Sequence, residues 1–298
     1  MNTKYLSTLK AILETGSFQK AATKLNYTQS TVTFQMQQLE QDLSVKLFER
    51  VGRKMELTYA GKELLPYIEN IMQAEYNIKN YGKSLEELKG TLKIAVPDEL
   101  FCSKMQPILQ EFIRQAPNVQ LVVKTLHCYA IRDEVIGGGV DLGVHCDIGG
   151  YPDTVNVEDL TSYKVCLAVS PTFSPSQLDF ISPHQRKDIR LIISDPHSVH
   201  QKRFYEYLNE KEIVLNGSLE LWSIGAAKTG VMSNLGIAYF PIFTIEEELK
   251  NGMLVPVRTE LDEERVTVVV TYHKNKFVSQ PMELFLRLLH DTLGKYAV

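Results

Sequence analysis

The apolar positions of the first sixty residues fall in helical stripes. Leu6, Leu9, Ile12 and Leu13 lie on one face of an amphipathic helix over about residues 3–13. Val32, Met36, Leu39 and Leu43, spaced four, three and four apart, predict a second, longer helix. A short helix between them carries Ala21, Ala22 and Leu25. Ser17 and Thr28 stand where a side-chain oxygen accepts the first unpaired amide hydrogens of the helix that follows. Asn26-Tyr27 falls at the turn, and Asn tolerates a left-handed backbone.

After these helices the period changes. Lys46 to Arg50 and Lys54 to Thr58 read as two short strands around Gly52. Thr58 then caps a long helix, about residues 59–88, with Leu64, Ile68, Ile71, Ile78, Tyr81, Leu85 and Leu88 at spacings built from threes and fours. A helix of that length has little of its own chain to cover it, which predicts a homodimer through residues 59–89. The same stripe docked on its own chain is the alternative.

Lys89-Gly90 ends this stretch, and the pattern becomes strand–helix–strand–helix–strand. The strands are Thr91 to Val96, Val119 to Thr125 and Val140 to Val144, which predicts a parallel sheet with helices on its faces. Gly137-Gly138-Gly139 follows a helix and lacks the Lys-Ser/Thr of a phosphate loop, so it reads as a helix stop. Further strands are expected at Lys164 to Val169, Leu191 to Ser194, Leu219 to Trp222, Gly236 to Pro241 and Val266 to Tyr272, with a last helix over 281–294.

Two capped helices joined closely form a helix-turn-helix, whose second helix enters the major groove of double-stranded DNA. Its polar face offers Gln29, Ser30, Thr33, Phe34 and Gln37 to base edges and phosphates, beside the caps Ser17 and Thr28. The hairpin carries Arg50, Arg53 and Lys54, as a wing that holds phosphate does.

The segment from Phe18 to Gly61 resembles the LysR-type transcriptional regulators. The resemblance rests on Glu14 to Phe18, Ala21-Ala22, Leu25, Gln29-Ser30, Val32, Leu39-Glu40, Leu47 to Arg50 and Leu57 to Gly61. It implies a winged helix-turn-helix over 1–58, a linker helix over 59–89 and a two-lobed periplasmic-binding-protein-like α/β effector domain. Lobe I is expected at 90–163 plus 266–298 and lobe II at 164–265, with a dimer or tetramer as the assembly. Val231 to Pro241 resembles the family's second-lobe signature, with Asn234 where Gly is common. The middle of the recognition helix departs from the family: Phe34-Gln35-Met36-Gln37-Gln38 has no cation. Gln pairs with adenine and Phe packs on a thymine methyl, so an A·T-leaning operator is expected.

The chain of 298 residues has a net charge of −4, which alone argues against a nucleic-acid partner. The charge is uneven: residues 1–62 hold nine Lys/Arg against five Asp/Glu, and the remainder 23 against 31. A basic head on an acidic body fits DNA binding by the head. No apolar leader with a cleavage site opens the chain and no run of about 18 apolar residues occurs, so no membrane partner and a cytoplasmic location are expected.

In open parallel sheets, ligands sit beyond the carboxyl ends of the strands. That places candidate effector contacts at Asp98, Glu99, Leu100, Phe101, His127, Cys128, Cys146, Ser198, His200, Trp222 and Ser223. No cofactor is expected besides this small-molecule effector. Helix starts favour anions, and His197, His200, Lys202 and Arg203 lie nearby, so a small organic anion leads. Asp98 and Glu99 stand where the family often has small hydroxyl residues, and they oppose an anion there.

A second reading starts from Cys102, Cys128 and Cys146 at one sheet edge, two of them beside His127 and His145. Soft sulfur and imidazole together suit zinc, copper or an oxidant. Adjacent strand residues point to opposite faces, so both members of a pair turn inward only at a bend. A solute-binding protein is the rival of another class, against which the helix-turn-helix argues. No GxSxG, HExxH or P-loop motif supports an enzyme.

Overall fold

The computed structural model describes residues 2–51 and 54–294. The chain divides into two compact units, Met1–Lys83 with Asn275–Ser279, and Ser84–Lys274 with Gln280–Val298.

The first unit opens with α1 (Thr3–Thr15), α2 (Phe18–Leu25) and α3 (Gln29–Leu43). Ser17 accepts from the Lys20 amide, and the Thr28 hydroxyl from Thr31 at 3.1 Å. Asn26, at φ 55° and ψ 40°, turns α2 into α3 in the left-handed region. Leu6, Leu9, Ile12, Ala21, Val32, Met36 and Leu39 close one core. β1 (Phe48–Val51) and β2 (Lys54–Leu57) pair antiparallel. Glu40 ties this hairpin to α3, its Oε1 accepting from the amides of Leu47 at 2.9 Å and Phe48 at 3.3 Å.

α4 (Tyr59–Asn80) starts at its Thr58 cap and stops eight residues short of the expected end. The Asn80 side chain donates back to the Tyr76 carbonyl, and Gly82 turns left-handed at φ 75°. Leu85–Glu87 forms only a tight helical turn. The expected apolar stripe splits. Leu64, Ile68 and Met72 pack on the head's own core, whereas Ile71, Ile78 and Tyr81 stay exposed beside Tyr67.

The second unit begins with β3 (Gly90–Val96), α5 (Asp98–Leu100), a wide helical turn (Phe101–Met105), α6 (Gln106–Gln115), β4 (Val119–Thr125), α7 (Cys128–Ile136) and β5 (Leu142–Cys146). β6 (Val155–Val169) and β7 (Arg186–Lys187) follow. Next come β8 (Leu191–Ile193), α8 (Val199–Glu210), β9 (Val214–Leu215), β10 (Ser218–Glu220) and α9 (Ile224–Met232). The chain closes with β11 (Ala238–Pro241), α10 (Glu246–Lys250), β12 (Val255–Val257), β13 (Arg265–His273) and α11 (Gln280–Leu293).

The main sheet runs β11-β6-β13-β5-β3-β4, with β12 also on β6. β4, β3 and β5 are parallel, as the strand–helix alternation predicts. β13 is antiparallel to both β5 and β6, so the sheet is mixed rather than parallel throughout. β6 also begins nine residues before its expected start. That half reads Val-Asn-Val-Glu-Asp-Leu-Thr-Ser-Tyr, whose acidic and amide residues are poor strand formers. Gly138, at φ 71°, closes α7, and Asn234 is left-handed at φ 62°. Phe112 of α6 meets Phe285 of α11 edge to face at 5.5 Å.

Candidate functional site

In the first unit, α3 turns Val32, Met36 and Leu39 inward and leaves Gln29, Ser30 and Gln37 exposed. Phe34 is 55% exposed, although burial of a Phe ring is favourable. Thr33 is half-buried and returns its hydroxyl to the Gln29 carbonyl at 2.9 Å. Ser17 and Thr28 serve as caps, which orients α2 and α3 before any contact with DNA. Arg50 lies exposed on β1, and Lys54 opens β2. Arg53 lies outside the described residues.

In the second unit, a pocket of about 330 Å³ opens at the carboxyl ends of β3, β4, β8 and β10. Asp98, Glu99, His127 and Trp222 line it, as expected from the strand ends. Thr125, Ser194, Asp195 and Ile224 line it too. Thr125 ends β4, Ser194 and Asp195 follow β8, and Ile224 starts α9, so the strand-end rule covers them all. His127 caps α7 through Nδ1, which accepts from the Ala130 amide at 3.3 Å. The rings of His127, His197 and Trp222 follow one another at centroid distances of 5.0 and 6.4 Å. Trp222 is 67% exposed.

The other candidates divide by burial. Leu100, Cys128 and Cys146 are buried and absent from the lining, and Phe101 is half-buried on the wide turn. Ser223 is exposed ahead of α9. Ser198 caps α8, and His200 lines a different cavity.

The pocket lining holds three carboxyl residues and no Lys or Arg. Of the residues behind the organic-anion expectation, His197, His200, Lys202 and Arg203, none lines this pocket. Asp98 is committed elsewhere. Its Oδ2 accepts from the Ile224 amide at 2.9 Å, where the adjacent Ser223 makes no side-chain cap. The chain's own carboxylate thus fills the anion seat at the start of α9. A second bridge joins the same regions, Lys104 to Glu246 at 3.0 Å. Glu99 is 7% exposed, and burial pushes its carboxyl up to about 8, so it is largely protonated at neutral pH.

Cys146 donates to Glu99 Oε1 at 3.8 Å. The Cys128 sulfur competes for the same thiol hydrogen, which lowers Cys128 and raises Cys146. His145 and Cys146 are both buried without a bend, because β5 is covered on both faces. Cys102 stands apart, exposed, with its thiol 3.6 Å from Asp98 Oδ1. Among the described residues no three His, Cys, Asp or Glu side chains gather to hold a metal ion. No described helix is long and apolar enough to cross a membrane.

A helix-turn-helix head and an α/β unit with a pocket at its strand ends define a transcriptional regulator with an effector-binding domain. The bacterial regulatory helix-turn-helix protein, lysR family, matches residues 3–62, and the LysR substrate binding domain matches residues 85–294. The chain belongs to the LysR family of regulators. It is 34% identical over 292 residues to YfiE, an uncharacterized HTH-type transcriptional regulator of Escherichia coli (strain K12), across 98% of this chain and 99% of that one. Its fold is shared with ArgP from Mycobacterium tuberculosis, at a TM-score of 0.76 and 17% identity over 98% of this chain and 97% of that one. Full-length LysG from Corynebacterium glutamicum, solved with bound effector Arg, superposes with a TM-score of 0.71 and 17% identity over 100% and 99% of the chains.

Proposed function

We propose that this regulator reads its operator as a dimer and is switched by a small neutral or cationic effector that donates hydrogen bonds. The observation that carries the effector class is the pocket lining, which has Asp98, Glu99 and Asp195 and no cationic chain. An anion there would meet no counter-charge, and an N–H donor would meet the Asp195 carboxylate, since Asp98 already accepts from Ile224 and Glu99 is largely protonated. Trp222 and His127, which both line the pocket, offer ring faces to the same ligand. On the DNA side, Gln29, Ser30, Thr33, Phe34 and Gln37 read bases, while Arg50, Arg53 and Lys54 hold phosphate. Two chains meet along the exposed Tyr67, Ile71 and Ile78 of α4 and the Tyr81 that follows it.

The effector acts by differential affinity for two arrangements of the second unit. Asp98–Ile224 and Lys104–Glu246 hold one of them together. The test is a thermal-shift screen of the full chain with small amines, polyols and organic acids, repeated on Asp195→Asn and Trp222→Ala. Amines or polyols should raise the midpoint, and both variants should weaken the response. A response to organic acids alone, unchanged in both variants, would overturn the assignment.

A further inference from the structure

Two free cysteines meet inside the second unit. Cys128 opens α7, Cys146 ends β5, and both are buried. Three groups converge on the Cys128 sulfur: the Cys146 thiol, the His145 imidazole and the Cys146 amide. That sulfur also stands at the positive end of α7. The arrangement stabilises Cys128 as a thiolate, while Cys146 keeps its proton. The other cysteines lack these partners. Burial pushes the Cys166 thiol up to about 11, and burial with the nearby Asp98 carboxylate raises Cys102.

The sulfur pair lies behind the wall of the acid-lined pocket. Glu99 lines that pocket, and its Oε1 accepts from the Cys146 thiol at 3.8 Å. His127, the residue before Cys128, lines it too. A pocket of about 330 Å³ admits a molecule little larger than water as far as Glu99. Among the described residues no set of three His, Cys, Asp or Glu side chains makes a metal site here. A nucleophilic sulfur beside a protonated one instead suits thiol–disulfide chemistry.

From this geometry we infer that Cys128 and Cys146 form a reversible disulfide when a small hydroperoxide enters the pocket. Rotation of the Glu99 side chain opens the last step to the sulfurs. The Cys128 thiolate attacks one peroxide oxygen, the O–O bond breaks, and Cys128 becomes a sulfenic acid. With hydrogen peroxide, the departing hydroxide takes the Glu99 carboxyl proton and leaves as water. The Cys146 sulfur then attacks Cys128. The S–S bond forms, the S–O bond breaks, and the hydroxyl leaves with the Cys146 proton as a second water. The two sulfurs give up two electrons, which reduce the peroxide, and Glu99 recovers a proton from solvent. The new bond fastens the start of α7 to the end of β5. It also removes the thiol hydrogen that Glu99 accepts, so oxidation alters the pocket wall whichever effector the pocket takes.

The test is mass mapping of the reduced, folded full chain after brief exposure to hydrogen peroxide, with remaining thiols blocked before digestion. Peptides joined through Cys128 and Cys146 should form at least tenfold faster than Cys102 or Cys166 is modified, and dithiothreitol should separate them. In Cys146→Ser the reaction should stop at Cys128, where dimedone captures a sulfenic acid. Cys128→Ser should leave Cys146 a thiol. The linkage in the parent decides the matter if a serine variant does not fold. Three results would each overturn the inference: Cys102 or Cys166 oxidised while the pair stays reduced, a joined pair seen only in urea, or dimedone capture at Cys146 in Cys128→Ser. A pair that stays reduced beside an intact thermal-shift response to amines would remove this inference and leave the effector reading standing.

Discussion

Replacing Asp98 tests the latch at the start of α9. In Asp98→Ala the Ile224 amide loses its acceptor, and the helix loses the negative charge at its positive end. Loss of an N-terminal cap costs about 1 kcal/mol. The charge adds roughly 0.3–1 kcal/mol, toward the low end because Asp98 is only half-buried. In a unit of this size, each kcal/mol moves the thermal midpoint by about 2–4 °C. Asp98→Ala should therefore lower the midpoint of the effector unit by roughly 2–6 °C. Asp98→Asn keeps an acceptor oxygen and loses the charge, so it should lose less than half as much. Differential scanning fluorimetry on the full chain reads both, with circular dichroism as a check on folding. An Ala variant that melts with the parent, or an Asn variant that falls as far as Ala, would refute the capping argument.

Glu99 gives a pH-dependent result. Its folded carboxyl, near 8, lies above its ordinary 4.5, so the stabilisation it reports is complete below pH 4.5 and is lost as pH rises through 8. The parent's melting midpoint should fall relative to Glu99→Gln between pH 5 and 9, and parallel curves would show that burial does not hold the proton. Phe34→Ala should weaken operator binding about fivefold, or ~1 kcal/mol, with little change in melting, measured by fluorescence anisotropy; equal affinity would remove Phe34 from the DNA face. Gly143→Ala should cost ~1–3 kcal/mol in chemical denaturation, because the added methyl meets Ile131 Cγ2 at 2.5 Å and Thr271 Oγ1 at 2.7 Å. A neutral outcome would mean that those neighbours move apart easily.

The head was the most legible part of the chain because several local signals coincide there. Ser17, Asn26 and Thr28 each act within a few residues of themselves, and the Val32–Met36–Leu39 stripe faces the core it predicts. The linker was less legible. The apolar pattern continues past Asn80, but a side-chain hydrogen bond to Tyr76 and a left-handed Gly82 end the helix, and neither alters periodicity. The mixed sheet was hidden for a related reason, since strand direction is set by partners distant in sequence. The effector candidates were drawn from strand ends as one group, yet they occupy separate places. Asp98 and Trp222 line one cavity and His200 another, because α8 starts between them and turns its first residues toward β13. Charge in sequence did not reveal which cavity would hold Arg203.

The place of β13 in the sheet bears on how the protein is made. This strand sits between β5 and β6, pairing with β6 at nine positions and with β5 at four. Both neighbours are synthesised about a hundred residues earlier, so they leave the ribosome with open backbone edges. Buried valines such as Val144 and Val165 flank those edges. Until Arg265–His273 emerges, the nascent chain presents two apolar edges to pairing with other chains. The final strand therefore acts as the keystone of translation, and truncation before residue 265 should yield an aggregating product rather than a shorter soluble one.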